Sequence, residues 1–416
     1  MVNCIHWLVN AINSLTTFIR KVALTFRIIN KSADVIVIDA EAFDSLVNCI
    51  PENVSYEVLP VRNKKELLKK FSISFFIHLF VVRMRSSKRS FNSVALTALI
   101  KTYHPKVILT YIDNSSTFSN ISNYLKKYKF LSVQNGTRWD LSFPDQPNLY
   151  FGNYYSFGLC EKDILNKGEH RFDSINPVGS IKLGIFLEQL KPQLGIERIC
   201  IISEWISQLS FHDSKHDTDL DEIYTNAERD MFRLVDEYAH KRNLPIVIAA
   251  RSKEDSDLFD QERTFFLENA RSVVVVKPRT AMYSSYELAY FSSLVVTLGS
   301  SLGYEMLGVG KKVMFAIDFK GPTELIFRGV WDKNYVTHRL PDELRLLDNS
   351  KEANFNKMDR VLHMSEESYE RLTAEARNYY MNINKNFLPQ VIIRNDIHAI
   401  LLIGNSSPNP RRHSTP

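Results

Sequence analysis

Short runs of Val, Ile, Leu and Phe recur along the chain, each bounded by turn-forming residues. In the first half they predict strands at Ala33–Asp39, Tyr56–Pro60, Lys106–Tyr111 and Lys129–Val133. In the second half they predict strands at Arg198–Ser203, Pro245–Ala250, Val273–Lys277, Leu294–Leu298 and Lys312–Ile317. Continuous apolar runs of this length suit strands buried on both faces. Helical periodicity fills the gaps, over 63–82, 91–103, 221–242, 256–269, 283–291 and 302–309. Within 221–242, Ile223, Met231, Leu234, Val235 and Tyr238 form an amphipathic stripe. Strands alternating with helices predict βαβ units and doubly wound sheets. The alternation pauses over 180–197 and restarts at Arg198. The expected fold is therefore α/β, with two Rossmann-type domains facing each other across a cleft. Residues 1–190 form the first domain, 191–400 the second, and 404–416 a disordered tail.

Composition narrows the class. Of 416 residues, 44% are hydrophobic and 24% charged, which excludes a disordered or collagen-like chain. That length exceeds one core of ordinary size, so two or more domains are expected. Cys4, Cys49, Cys160 and Cys200 form no CxxC motif and no disulfide framework. A reducing, cytoplasmic location follows as the expectation. Residues 1–19 are interrupted by Asn3, His6, Asn10, Asn13 and Ser14 and make a poor signal peptide.

Charge changes the picture locally. The net charge is +5, yet residues 62–106 hold eleven basic groups against the single acid Glu66. They enclose the most apolar run, Phe71–Val82, whose 12 residues are too few to span a bilayer. An apolar face rimmed by Lys and Arg fits peripheral contact with an anionic membrane, on the inner face of the cytoplasmic membrane. A buried helix with solvated flanks fits equally well. No nucleic-acid motif accompanies the basic residues, so nucleic acid is not an expected partner.

The polar residues just past the strand ends carry the candidate chemistry. After the strand ending at Leu298, Gly299, Ser300 and Ser301 form a tight turn into a helix. Free N–H groups and the positive dipole end suit phosphate there, and Glu305 lies one turn in, within reach of a ribose hydroxyl. A plain βαβ turn with Ser300 or Ser301 as N-cap explains the same residues. Arg251 and Lys253 follow the strand ending at Ala250 and could neutralise a phosphate, or could simply be solvated. Asp113 and Asn114 follow Tyr111, and Gln134, Asn135, Arg138 and Asp140 follow Val133. A cleft carboxylate can act as base, acid or nucleophile, and Asn, Gln and Arg suit hydroxyl-rich ligands. A helix N-cap at Asp113-Asn114 and a turn at Asn135-Gly136 are the rival readings. Asp217 and Asp219 form a DxD, but they immediately precede a long helix, where capping explains them better. No HExxH, GxSxG or phosphate-binding P-loop motif occurs, so neither a metal site nor a cofactor is expected.

The order of these segments resembles the bacterial surface carbohydrate biosynthesis protein family. The pieces that carry the resemblance are IDNS near 112–115, QNGTR at 134–138, VGSIK at 178–182 and SLGYE…GKK over 301–312. The resemblance runs over residues 33–330 and implies a GT-B fold and glycosyltransferase activity in lipopolysaccharide or capsule synthesis. It implies a nucleotide-sugar donor on the C-terminal domain, cradled by Ser300, Ser301, Gly303 and Glu305. It implies a glycan or glycolipid acceptor on the N-terminal domain, lined by Asn114, Gln134, Asn135 and Arg138. Asp113 or Asp140 would be the catalytic carboxylate, with no metal required. A more distant likeness to capsule Kdo transferases makes a CMP-linked donor one option. A nucleotide-sugar epimerase of the same fold, or a non-catalytic envelope scaffold, remains as an alternative.

Overall fold

The structure, a computed structural model, describes residues 32–38, 43–61, 64–85, 90–111, 116–137, 148–205, 218–268, 270–318, 339–347 and 350–406. Two six-stranded sheets dominate it. The first is built from β1 (Val35–Ile38), β2 (Tyr56–Leu59), β3 (Val107–Thr110), β4 (Lys129–Val133), β5 (Asn153–Ser156) and β6 (Ser174–Pro177). Its order is β2-β1-β3-β4-β5-β6. β1 is parallel to both neighbours, with Val35 opposite Tyr56 on one side and Val107 on the other. Every residue of β1 and β3 is buried, which is why both read as unbroken apolar runs.

The helices of this half are α1 (Phe43–Leu46), α2 (Lys64–Leu68), α3 (Ile73–Arg85), α4 (Phe91–Tyr103), α5 (Ser116–Tyr124), α6 (Cys160–Lys167) and α7 (Ile181–Gln189). The periodicity over 63–82 yields two helices, because Ser72 interrupts it. Its Oγ accepts from Phe75 N at 3.2 Å, the bond of a helix start. α4 is bounded on both sides. Ser90 Oγ accepts from Ser93 N at 3.3 Å, and His104 ends the helix in the left-handed region at φ +48°. Ile36, Ile38, Leu99, Tyr103, Ile108, Phe118 and Phe130 form the core between these helices and the sheet.

The second sheet comprises β7 (Ile196–Ile202), β8 (Ile246–Lys253), β9 (Val274–Arg279), β10 (Ser292–Thr297), β11 (Val313–Asp318) and β12 (Arg345–Leu347). Its order is β12-β11-β10-β7-β8-β9, and its strand pairs are parallel. Its helices are α8 (Thr218–Arg242), α9 (Asp257–Leu267), α10 (Ser284–Tyr290) and α11 (Ser301–Gly308). They are followed by α12 (Lys351–His363), α13 (Glu366–Tyr380) and α14 (Pro389–Ser406). α14 takes in Gly404, Asn405 and Ser406, which the sequence assigned to a tail; residues 407–416 lie outside the described residues.

All nine predicted strands form. β5, β6 and β12 were not anticipated, since NYYS, SINP and RLL are short and carry few Val or Ile. The pause over 180–197 contains α7, which buries Ile181, Leu183, Ile185 and Phe186. Gly184 masks its periodicity and lets Gln390 approach: a Cβ there would lie 2.3 Å from Gln390 Oε1.

By contacts the chain divides into two compact units: Met1–Val133 with Tyr150–Asn153 and Ile393–Pro416, and Gln134–Leu149 with Tyr154–Ile392. Among the described residues, no helix is long and apolar enough to cross a membrane. Strand order sets where ligands bind. In the second sheet the chain runs β7, β8, β9 outward, then returns to the other flank of β7 with β10, β11, β12. The reversal between β7 and β10 is a topological switch point, whose carboxyl edge is the preferred ligand crevice of open α/β sheets. In the first sheet the same reversal lies between β1 and β3.

Candidate functional site

The carboxyl ends of β10, β7 and β8 lie side by side, and a carboxylate ties two of them together. Glu204, two residues past β7, accepts from Thr297 Oγ1 at 2.9 Å and from Gly299 N at 2.6 Å. Ser300 N donates to Thr297 Oγ1 at 3.1 Å. Ser300 then caps α11, its Oγ accepting from Leu302 N at 3.4 Å while its carbonyl accepts from Gly303 N at 2.9 Å. The amides of Gly299, Ser300, Leu302 and Gly303 thus all have protein acceptors. The turn read as a phosphate cradle already holds a carboxyl group, and it is the protein's own. Among the described residues, no acceptor meets the Ser301 N–H, at the first position of the helix.

The other donor-side candidates divide by position. Gly303 faces β10: a Cβ would lie 2.6 Å from Thr297 Cγ2, so the glycine serves close packing of helix on strand. Glu305 is buried, accepts hydrogen bonds from Ser180 and Tyr286, and has Lys182 nearby. Burial raises its pKa, partly offset by those bonds. Ser301 is partly exposed, and its Oγ accepts from Thr137 N at 2.9 Å and lies 3.0 Å from Thr137 Oγ1. That contact joins the segment after β4, read as acceptor-side, to the segment after β10, read as donor-side. Both belong to the second compact unit. Arg251 and Lys253 are exposed at the C-terminal end of β8. Arg251 N and Ser252 N each donate to the buried Glu262 at 2.9 Å, which fixes the backbone beneath both cations.

Of the acceptor-side candidates, Gln134 is buried and fully engaged. Its Nε2 donates to Gly136 O at 2.9 Å and to Glu161 Oε1 at 2.5 Å, and its Oε1 accepts from Phe157 N at 2.6 Å. Both amide hydrogens are therefore held within the protein, where they fix the loop carrying Asn135 and Thr137. Asn135 is partly buried in that loop. Asp113, Asn114, Arg138 and Asp140 lie outside the described residues. So do Asp217, His212 and His216. Among the described residues, no group of three or more His, Cys, Asp or Glu is placed to hold a metal ion.

Three carboxyl groups around the site were not anticipated: the half-buried Glu204 and the buried Glu228 and Glu262. Glu228, on α8, accepts from Glu204 N at 3.3 Å through one oxygen, and its other oxygen is buried with no partner among the described residues. Burial and then the charge of Glu204 push its pKa well above the ordinary carboxylate range. Glu204 is raised too, by burial, against the bonds from Gly299, Thr297 and Ser300 and the charge of Arg251. Glu204 was legible in principle. It follows the predicted strand Arg198–Ser203, and the rule applied to Arg251 applies to it equally. Glu228 and Glu262 are mid-helix acids, and nothing in their spacing separates them from solvated ones.

A family model described as "putative O-antigen biosynthesis protein" matches residues 161–384, more than half of the chain. The chain belongs to this O-antigen biosynthesis family. The matched stretch runs from α6 through α13 and so contains β7, β8, β10 and α11 of this O-antigen biosynthesis protein, with Glu204, Glu228, Glu262 and Glu305. No curated protein matches the chain. Among solved structures it is similar to a UDP-GlcNAc 2-epimerase from Neisseria meningitidis bound to UDP-GlcNAc. That match has 14% identity and TM-score 0.51, over 89% of this chain and 99% of that one. It is also similar to the wall teichoic acid polymerase TagF, at 11% identity and TM-score 0.52, over 98% of this chain and 100% of that one. At these identities the likeness is one of fold, and the fold is that of GT-B enzymes. The α/β class and the surface-carbohydrate family expected from the sequence both hold.

Proposed function

We propose that this protein is a glycosyltransferase, moving a sugar from a nucleotide donor to a glycan or glycolipid acceptor in surface carbohydrate synthesis. The observation that carries this reading is the β7/β10 switch point, where an exposed cation, a helix N-terminus and the 134–137 loop converge. Membership of an O-antigen family supports the pathway. That a similarly folded enzyme holds UDP-GlcNAc supports a nucleotide-sugar ligand.

In this reading the donor diphosphate lies against Arg251 and Lys253, with the Ser301 N–H at the end of the α11 dipole. The bond between the anomeric carbon and the phosphate oxygen breaks, and the electron pair leaves with the phosphate, where these cations stabilise it. The acceptor hydroxyl oxygen bonds to the anomeric carbon, and its proton passes to a carboxylate, Asp113 or Asp140. Basic side chains meet the phosphate charge, so the mechanism requires no metal. Asn114, Asn135 and Arg138 position the acceptor. Gln134, Glu204 and Glu262 are positioning residues, since each holds backbone that presents another group. Residues 1–190 and 191–400 are assigned the acceptor and donor roles. Peripheral contact with an anionic membrane belongs to the same reading, because a glycolipid acceptor is presented there.

The test is transfer of labelled sugar to membrane-extracted glycolipid by Asp113→Ala and Asp140→Ala. One of them should lose about 100-fold or more of the rate. Unchanged transfer by both removes the assignment. One observation favours epimerisation as a second reading: Glu204, half-buried just past β7 at the switch point, is a carboxyl with a raised pKa, which suits proton transfer on the sugar itself. Turnover of a nucleotide sugar to its epimer without any acceptor would select it.

A further inference from the structure

α3 leaves an apolar stripe uncovered. Ile73, Ile77, Phe80 and Met84 are 58%, 60%, 68% and 72% exposed. At 3.6 residues per turn they fall within an arc of about 60°. Phe75 and Val82 turn to the opposite side, into the core. Phe91, at the start of the neighbouring α4, is 65% exposed as well. Single exposed apolar residues are ordinary, but an aligned stripe marks an interaction surface.

The charge around the stripe identifies the partner. Arg83 and Arg85 lie about 100° to either side of it along the helix. Lys65, in α2, and Lys69, just past its end, are both exposed. Lys101 and Lys127 bring further positive charge to this helix. After burial and His104, they help hold the pKa of His78 below its ordinary value. Glu66 is the one acid between residues 62 and 106, and Lys69 pairs with it. A second copy docked here through a two-fold axis would set Arg83 and Arg85 against their own counterparts. Thirteen residues make a helix of about 20 Å, which lies along a bilayer surface and does not cross it.

We propose that this face of α3 docks on an anionic lipid surface, with Ile73, Ile77, Phe80 and Met84 among the acyl chains and Arg83 and Arg85 at the headgroups. This deepens the reading above, and rests on it for the source of the acceptor. The experiment is co-flotation of the chain with vesicles of phosphatidylcholine alone, or of phosphatidylcholine with phosphatidylglycerol. Wild type should float with the anionic vesicles, and less so as salt is added. The double variant Ile77→Ser/Phe80→Ser should bind about tenfold or more weakly. Its urea midpoint should be unchanged, because neither side chain is in the core. Arg83→Gln/Arg85→Gln should weaken binding and reduce its salt dependence. Equal flotation of wild type and the Ser variant, or flotation of neither, overturns the proposal. So does a drop in oligomeric mass on size exclusion in the Ser variant, which would make the face a contact between copies. Nucleotide-sugar thermal shifts of the same variants separate this failure from failure of the transferase reading: docking can fail with those shifts intact.

Discussion

α3 and α11 are both apolar helices, yet their circumstances are opposite. In α11, every residue from Leu302 to Gly308 is buried. Both its ends are held. Ser300 and Glu204 secure the first turn, and Arg377 Nε donates to the carbonyl of Gly308 at 3.1 Å. α3 buries Phe75 and Val82 and leaves four large apolar side chains in solvent. The difference is one of placement. α11 is the crossover between two adjacent central strands, so sheet and helices cover it on all sides. α3 precedes β3 as part of a long excursion from β2, and packs on one side only. A helix enclosed on all sides holds the residues of its first turn in one place. A helix open on one side offers a surface.

Substitutions in the two helices sharpen that contrast. Leu307→Ala, in α11, should cost about 2–5 kcal/mol by urea denaturation, the range for a fully buried leucine. Gly303→Ala should cost about 1–3 kcal/mol, since the added Cβ meets Thr297 and the helix must shift from β10. That shift also moves the Ser301 amide, so donor binding should weaken together with stability. Glu228→Gln tests the buried carboxyl behind the site. Its folded-state pKa is raised, so the native state holds its proton more tightly than the unfolded chain does. Stability is then lost as pH rises from the ordinary carboxylate range toward the folded value. The variant should match wild type near pH 4 and exceed it by a margin that grows toward pH 8, read as melting temperature against pH. A constant offset would contradict the assignment. Phe80→Ala, in α3, should change stability by less than about 0.5 kcal/mol. If it cost as much as Leu307→Ala, the stripe would be a core face and the comparison would fail.

The sequence made the framework legible where burial on both faces left unbroken runs, as in β1, β3, β7 and β10. It concealed elements whose residues do several things at once. α7 is short and interrupted by Gly184, whose role is contact with Gln390. β5 is polar and aromatic because Tyr154 and Tyr155 are buried by neighbours that no local pattern reports. At the site, the rule that polar residues past strand ends face a ligand crevice singled out Arg251, Lys253 and the Gly299–Ser301 turn as candidates. It did not show that Glu204 would fill that turn, because the bond spans 95 residues of sequence. Gln134 illustrates the same limit. Its position past β4 was readable, whereas its full engagement with Gly136, Glu161 and Phe157 depends on loops distant in sequence. The apolar run at 71–82 was readable as a helix, but its exposure is a property of packing.

The central claim is that a nucleotide sugar binds at the β7/β10 switch point with its phosphates against Arg251. Thermal-shift titration with CMP-, UDP-, GDP- and dTDP-sugars, on wild type and on Arg251→Ala, tests it most directly. A specific ligand at 100 times its Kd stabilises the native state by about 2.7 kcal/mol. One nucleotide class should raise the melting temperature saturably, and Arg251→Ala should weaken its Kd about tenfold or more. No shift with any nucleotide sugar, or the same Kd in Arg251→Ala, would contradict the account.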